Sequence, residues 1–452
     1  MRRFDVLVLG GGAAGCVLAS RLSENADRTV ALVEAGPDYG PFEDGRWPAD
    51  ILDARRLALD SHCWERDDED DRSQLRAKIL GGCSAHNACV LMRGDPRDYE
   101  WGGGWSYQEL VPFLERAERK LEARRPTDDE LAPWLRALRN VGGDADALQL
   151  MNAAGTVRWN VAFAYVDPAR ARPNLSVLAE TLVDRLLLED GVARGAVAGG
   201  QELAADVVVV AAGSYGSAGI LLRSGIGPAE ELGRHKIPLV VELPVGEGLT
   251  DHVGTGAAWR PTGQLQADSA EFAREHELLT TAVVIHRRTS ACTPELWDLL
   301  VLPAFDEGDE ISAAVFFMNP RSRGSVRLNG AEPEAPLAID HGFLRNESDA
   351  EALTEGFDQL RELARSEIPA RYASEELRPG AAVTAAMHVR TTARGFFHPV
   401  GTCAIGSVVD GRCRVRGLEN VYVVDASVMP TIPRVPVHLS TLALTERAAE
   451  WI

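Results

Sequence analysis

The N-terminal stretch FDVLVLGGGAAGCVLASRLSE changes texture twice. Val6 to Leu9 is an uninterrupted apolar run rich in β-branched residues, glycines follow, and small and apolar residues then recur at helical spacing. That order predicts a strand, a tight turn and a helix. TVALVEAG supplies a second buried strand ending at Glu34, so the chain opens as a βαβ unit of a parallel sheet. NLSVLAETLVDRLLLEDGVARGAVA predicts three short strands with a turn at Asp190-Gly191. ADVVVVAAGSYGSAGILLRSGIG predicts a strong strand, Val207 to Val210, feeding a glycine loop and a helix. Near the C-terminus NVYVVDASVMP predicts a last strand ending at Asp425, and STLALTERAAEWI an amphipathic closing helix.

Two regions of different character interrupt this pattern. Residues from about 111 to 164 read as helical and charged, and those from about 256 to 394 mix β-like runs (AAVFFMNP, GSVRL) with a helix at DAEALTEGFDQLRELARS. The acidic run ERDDEDDRS reads as a solvated loop. The expected fold class is α/β: a doubly wound, Rossmann-like domain assembled from the discontinuous segments 1–110, 165–255 and 395–452, with an α+β domain inserted from 111–164 and 256–394.

Composition narrows the partners. The formal net charge is −20, which argues against nucleic acid or anionic lipid, because both demand a positive surface. No segment approaches the ~20 apolar residues of a membrane span. The apolar run at the start is already a strand entering a glycine turn, so it is not read as a secretion signal. The cysteines, Cys16, Cys63, Cys83, Cys89, Cys292, Cys403 and Cys413, are odd in number and scattered, which fits a reduced, cytoplasmic protein.

Gly10, Gly12 and Gly15 form a G-x-G-x-x-G pattern between strand and helix. Gly10 permits the turn, Gly12 lets the backbone approach a pyrophosphate, and Gly15 allows close packing of helix and strand. Glu34, ending the next strand, is placed to accept hydrogen bonds from ribose hydroxyls and disfavours a 2′-phosphate. Further glycine loops at Gly81-Gly82 and Gly213 suit an extended FAD better than NAD. A second short stretch, LGGCSAHNACV, sets Cys83, His86 and Cys89 at three-residue spacings. A closed zinc site wants four ligands, and a catalytic thiol wants a paired base; the sequence supplies neither.

These pieces together resemble the glucose–methanol–choline (GMC) oxidoreductase family. The residues that carry the resemblance are LGGGAAGCVLASRLSE with Glu34-Ala35-Gly36, ILGGCSAHNACVLMRGDPRDYEWGG and GWSYQELVPFLERAE. AAGSYGSAGILLRSGIGP, LPVGEGLTDH, RSRGSVRL and HPVGTCAIG follow, and GLENVYVVDASVMPTIP closes the series. The resemblance implies FAD, an inserted substrate domain, and oxidation of an alcohol to an aldehyde or ketone with hydride transfer to flavin N5. It places Gly81, Gly82, Ser84, Asn87 and Ala88 against the flavin, and Asp425 and Ala426 near its diphosphate and flavin region. It also assigns Ala13, Ala14, Ala35 and Val90, and further along Val183, Ala212, Gly213 and Thr441, to the cofactor's surroundings. For His86 it leaves two states: bonded covalently to the 8α carbon of the flavin, as in some choline-oxidising relatives, or lying unbonded beside the dimethylbenzene ring.

Removal of a hydroxyl proton calls for a base, and imidazole suits the step because its ordinary pKa is about 6.5. In FFHPVGTC, His398 matches the family's active-site histidine, and His438 falls at the position of its asparagine or histidine partner, expected to hold the substrate hydroxyl. Around His438 the chain departs from the family, with Val435, Pro436 and Ser440 in place of the usual glycine, asparagine and proline. It is also short for the family after about Leu121 and between about Thr255 and Ser312, where a substrate cover is expected. His86 tilts the substrate slightly toward choline-like or other small primary alcohols. The electron acceptor is open among a quinone, a redox carrier and dioxygen, with a dehydrogenase slightly favoured. The alternatives are a lyase resembling hydroxynitrile lyases and a catalytically silent flavin protein.

Overall fold

The computed structural model describes residues 2–66, 71–142, 148–276, 282–305 and 310–452. Residues 67–70 of the acidic run lie outside them. The chain begins with β1 (Arg2–Leu9), α1 (Ala13–Leu22) and β2 (Val30–Val33), followed by helices α2 (Tyr107–Lys120) and α3 (Pro133–Gly142). Next come β3 (Leu175–Leu178), β4 (Val183–Glu189), β5 (Val192–Ala198), β6 (Gln201–Val210) and α4 (Gly213–Arg223). The strands β7 (Val253–Pro261), β8 (Ile285–Arg287), β9 (Leu299–Phe305) and β10 (Ile311–Phe317) lead to α5 (Glu347–Arg365) and β11 (Ala373–Arg378). Then α6 (Ala385–Thr392), β12 (Arg394–Gly395), β13 (Val421–Val423) and α7 (His438–Ala448) complete the main elements.

The first sheet runs β3-β2-β1-β6-β5-β4, with β13 also on β6. β1 is parallel to β2 and β6, with Val6 opposite both Val30 and Val207. The long strand β6 serves two partners: its first half pairs antiparallel with β5, and Val208–Val210 pair parallel with Val421–Val423. Leu7, Val8, Leu9 and all of β2 are buried, as expected for strands covered on both faces. The N-terminal glycines make this packing possible. A Cβ on Gly15 would stand 1.8 Å from the Gly10 carbonyl oxygen, so α1 lies directly on the end of β1.

The second sheet is antiparallel, in the order β8-β9-β10-β7-β11, with β12 beside β7. Its strands alternate. Leu299, Val301, Ala313, Val315, Val253 and Ala257 join a core shared with α3, α5 and α6. Leu300, Leu302, Ala314 and Phe316 point the other way, toward the first domain. The two sheets thus face each other across a cleft.

Two regions differ from the sequence reading. The stretch 111–164 is not helical throughout: short strands at Leu150–Met151, Ala153–Ala154 and Val157–Arg158 follow its helices and precede a π-helical turn at Ala162–Val166. The division drawn at residue 111 cuts α2, whose buried Leu110, Phe113, Leu114 and Ala117 belong to the core of the first sheet. The closing helix is not amphipathic in its setting. Residues Leu439–Glu446 are all buried, and Glu446 accepts hydrogen bonds from Tyr165 (3.0 Å) and Arg116 (3.0 Å). Its charge is neutralised inside the core, so the polar face needs no solvent.

Replacing Gly15 with alanine forces α1 off β1. The expected result is a loss of at least about 1–3 kcal/mol of stability together with loss of any bound dinucleotide, measured by thermal unfolding and flavin absorbance. Unchanged unfolding would show that the backbone contact is not tight.

Candidate active site

The cleft holds one continuous cavity of about 1790 Å³. At one end are Gly10, Gly12, Ala13, Ala14, Glu34 and Ala35; along it lie Gly82, Ser84, Val183, Ala212, Gly213, Asp425 and Ala426. At the other end stand His86, Asn87, Ala88, Val90, His398, His438 and Thr441. Of the residues singled out from the sequence, Gly15 and Gly81 sit behind this lining. Gly15 seats the helix, and Gly81 donates its N–H to the Gly11 carbonyl (2.8 Å) with φ at +92°. A Cβ on Gly82 would meet the Gly12 Cα at 2.7 Å, so two glycine segments distant in sequence touch through their backbones.

Two buried carboxylates brace the dinucleotide end. Glu34 accepts the N–H groups of Gly11 (2.7 Å) and Gly36 (2.7 Å), and burial pushes its pKa up to about 7. Further donors, such as ribose hydroxyls, would satisfy its remaining lone pairs. Asp425 accepts from Gly213 N–H (2.8 Å), Ser217 Oγ (2.6 Å) and Ser427 N–H (2.8 Å), tying the end of β13 to the start of α4. Burial raises its pKa as well. α1 has no side-chain cap on its first N–H groups, which face the cavity from the glycine turn. Glycine cradles, an uncapped helix start and a carboxylate at the strand end together fit an adenine dinucleotide.

The histidines form a directed chain. His252 Nε2 lies 3.0 Å from the Pro433 carbonyl, which can only accept, so that nitrogen carries the proton. Burial pushes the His252 pKa down to about 3, so the ring is neutral and its Nδ1 holds a lone pair. His398 Nδ1, 3.0 Å away, must therefore donate to it. Burial, with His252, Arg76 and His438 nearby, holds the His398 pKa well below the ordinary value. Its Nε2 is left as a lone pair with no protein hydrogen bond among the described residues. The His398 N–H donates to Asp251 Oδ1 (2.9 Å), fixing the main chain as well. Ligand atoms of Asp251, His252 and His398 lie within 4.8 Å of one another, but these hydrogen bonds already engage both Nδ1 atoms and a carboxylate oxygen.

His438 opens α7. Its Nε2 is buried without a partner, and burial lowers its pKa to about 4. The unusual loop before it is anchored: Arg434 pairs with Asp98 (2.6 Å), and Ser440 Oγ meets Tyr99 OH at 2.9 Å. The family-atypical Ser440 thus has a structural partner.

His86 lines the cavity and has a buried, unpartnered Nε2, and burial followed by the Arg158 charge lowers its pKa to about 4. Arg158 is wholly buried and donates to the carbonyls of Asn87 (2.9 Å), Ile51 (2.9 Å) and Asp53 (2.7 Å), clamping the His86 segment to its cover. Cys83 is exposed and Cys89 buried, and burial pushes the Cys89 thiol up to about 12, the opposite of an activated nucleophile. Sequence reasoning missed Asp251, His252 and Arg158. The first two stood in the quoted LPVGEGLTDH, whereas nothing in the sequence distinguishes Arg158 from a surface arginine.

The GMC oxidoreductase family matches residues 4–254 with its N-terminal part and residues 320–445 with its C-terminal part. The chain belongs to this family. It is 30% identical over 505 residues to the pyridoxine 4-oxidase of Microbacterium luteolum, covering 99% of each. It is 30% identical over 535 residues to the mitochondrial choline dehydrogenase of Mus musculus, covering 99% of this chain and 89% of that protein. The solved pyridoxine 4-oxidase from Mesorbium loti superposes with a TM-score of 0.85 at 27% identity, over 99% of each chain. The aligned lengths exceed the 452 residues here, so these relatives carry insertions relative to this chain. Among the described residues, no helix is long and apolar enough to cross a membrane.

His252→Leu removes the acceptor that orients His398. In protein labelled with ¹⁵N at histidine, His398 should show the Nδ1–H tautomer in the native chain and lose that preference in the variant. An unchanged His398 signature would refute the chain of hydrogen bonds.

Proposed function

We propose that this protein binds FAD in the cavity and oxidises an alcohol to an aldehyde or ketone, with His398 as the proton acceptor. The observation that carries the reading is the free Nε2 lone pair of His398, held toward the cavity by His252 and the Pro433 carbonyl. Bound FAD supplies the acceptor for the hydride that leaves the carbinol carbon. His398 Nε2 takes the hydroxyl proton, and the ring is held from behind so that no reorientation precedes transfer. His438 offers its unpartnered Nε2 to the same hydroxyl and fixes its direction. Apolar walls from Leu300, Ala314 and Phe316 keep water from the reacting carbon. Family membership and the likeness to alcohol-oxidising relatives support this reading.

The acceptor that re-oxidises the enzyme is read from the rates with dioxygen, a quinone and an artificial carrier measured side by side; we propose a dehydrogenase. His398→Ala should slow alcohol-dependent flavin bleaching by roughly a hundredfold. Because burial lowers the pKa of both histidines, the neutral base persists as pH falls. Bleaching in the native enzyme should stay level through the ordinary histidine range near about 6.5 and decline only at distinctly more acidic pH. A rate that halves near that ordinary value, or an unaffected His398→Ala variant, would remove His398 from the mechanism.

His86, neutral and unpartnered, fits a bond to the flavin's dimethylbenzene edge. Acid-denatured holoprotein passed through a filter should retain its yellow colour, and His86→Ala should release it. Free passage of colour from the native protein would make His86 a noncovalent neighbour.

A further inference from the structure

A carboxylate that the substrate proton does not touch lies behind the histidine pair. Asp251 directly precedes His252 and is 3% exposed. Its Oδ1 accepts the His398 N–H at 2.9 Å, while Oδ2 is buried with no hydrogen-bond partner among the described residues. A Cβ on Gly395 would stand 2.7 Å from Oδ2, so the glycine of β12 leaves the room in which that oxygen sits. A carboxylate oxygen of Asp251 and a ring nitrogen of each histidine lie within 4.8 Å of one another. Among the described residues no acid hydrogen-bonds either ring. Arg76 acts through its charge on both Asp251 and His398. It donates to Tyr215 OH (2.8 Å), lies 4.5 Å over that ring, and forms no ion pair among the described residues. Tyr215 OH also meets His341 Nε2 at 2.8 Å, and His341 Nδ1 is 3.6 Å from Asp71, that ring's own acid. Arg394, next to Gly395, is exposed.

Burial pushes the Asp251 pKa up, and His341, Arg76 and the His398 N–H pull against it by favouring the ionised form. A buried carboxylate with an empty oxygen is costly unless charge nearby answers it. In the resting site His252 and His398 are neutral and answer little of it. Proton transfer breaks the alcohol O–H bond and forms an N–H bond at His398 Nε2. The pair then gains one positive charge beside the carboxylate. A neutral imidazole interacts weakly with a carboxylate and an imidazolium strongly, so the attraction favours the proton-loaded state over the resting one. Arg76 works in the opposite sense and repels the new charge. We propose that Asp251 is a positioning residue for the proton transfer: its carboxylate is the counter-ion of the imidazolium formed on the His252–His398 pair, and Arg76 offsets it. The inference rests on the reading of His398 as the base.

The test mixes holoenzyme without oxygen with the fastest of benzyl alcohol, 1-butanol and choline, and follows flavin bleaching across pH. Asp251→Asn keeps an acceptor for the His398 N–H and removes the charge. Its bleaching at saturation should fall about three- to thirtyfold near neutral pH. Its acid-side decline should move down by about one pH unit or more, because an imidazolium without its counter-ion forms less readily. Arg76→Met removes the repelling charge, so its decline should move up toward about 6.5. Damage to the fold would slow both variants without moving their pH profiles apart; flavin content and thermal unfolding are measured on each. An Asp251→Asn rate and profile like those of native enzyme, or profiles that shift in the same direction in both variants, would overturn the inference and leave alcohol oxidation intact. If Asp251→Asn does not fold, Arg76→Met decides alone, and an unmoved profile there overturns the inference. Absence of bleaching with all three alcohols, or a His398→Ala variant as fast as native enzyme, removes the base itself, and the inference falls with the proposed function.

Discussion

The constraint on which the site depends is the contact of backbone with backbone at the first turn. The Gly10 carbonyl occupies the place of a Gly15 side chain, and Gly82 lies against Gly12 with no room for a methyl between them. The glycine turn and the Gly82 segment take their places in the cavity wall from these contacts. α1 can sit on β1 only through the first, and the segment bearing Ser84, His86 and Asn87 reaches the turn only through the second. Replacing such a glycine adds volume where neighbouring backbone cannot yield, because interiors are packed to near-crystalline density.

The same economy of space governs the chemistry. His252 is fully buried, His398 and His438 are half-buried in the cavity wall, and burial lowers the pKa of each so that the rings are held neutral. Neutrality is what gives the hydrogen-bond chain a direction. A carbonyl at one end accepts, each neutral imidazole donates at one nitrogen and accepts at the other, and the lone pair emerges at His398 Nε2. A protonated His252 would have no lone pair for His398, and the direction would be lost. Arg158 and Glu446 show the other way of burying charge, by surrounding it with carbonyls or by pairing it with an arginine and a tyrosine.

The sequence by itself determined the βαβ opening, the strands that end at Glu34 and Asp425, the helix of Glu347–Arg365 and the family. These are local signals: hydrophobic period, glycine spacing and ordered motifs that a linear reading captures. It did not determine that α2 belongs to the first core or that the last helix is buried on nearly every side, because both depend on partners more than two hundred residues away. Nor did it distinguish Arg158, whose role exists only where Ile51, Asp53 and Asn87 bring their carbonyls together. His252 was visible as a letter in a motif, but its function is a direction of hydrogen bonding set by Pro433. The stack of Phe316 on Phe396 depends on register across three strands, and register is fixed by which faces find a core. Residue types and their spacing settle which groups are available; only the folded chain decides which of them meet, because burial and long-range contact are properties of the assembled core.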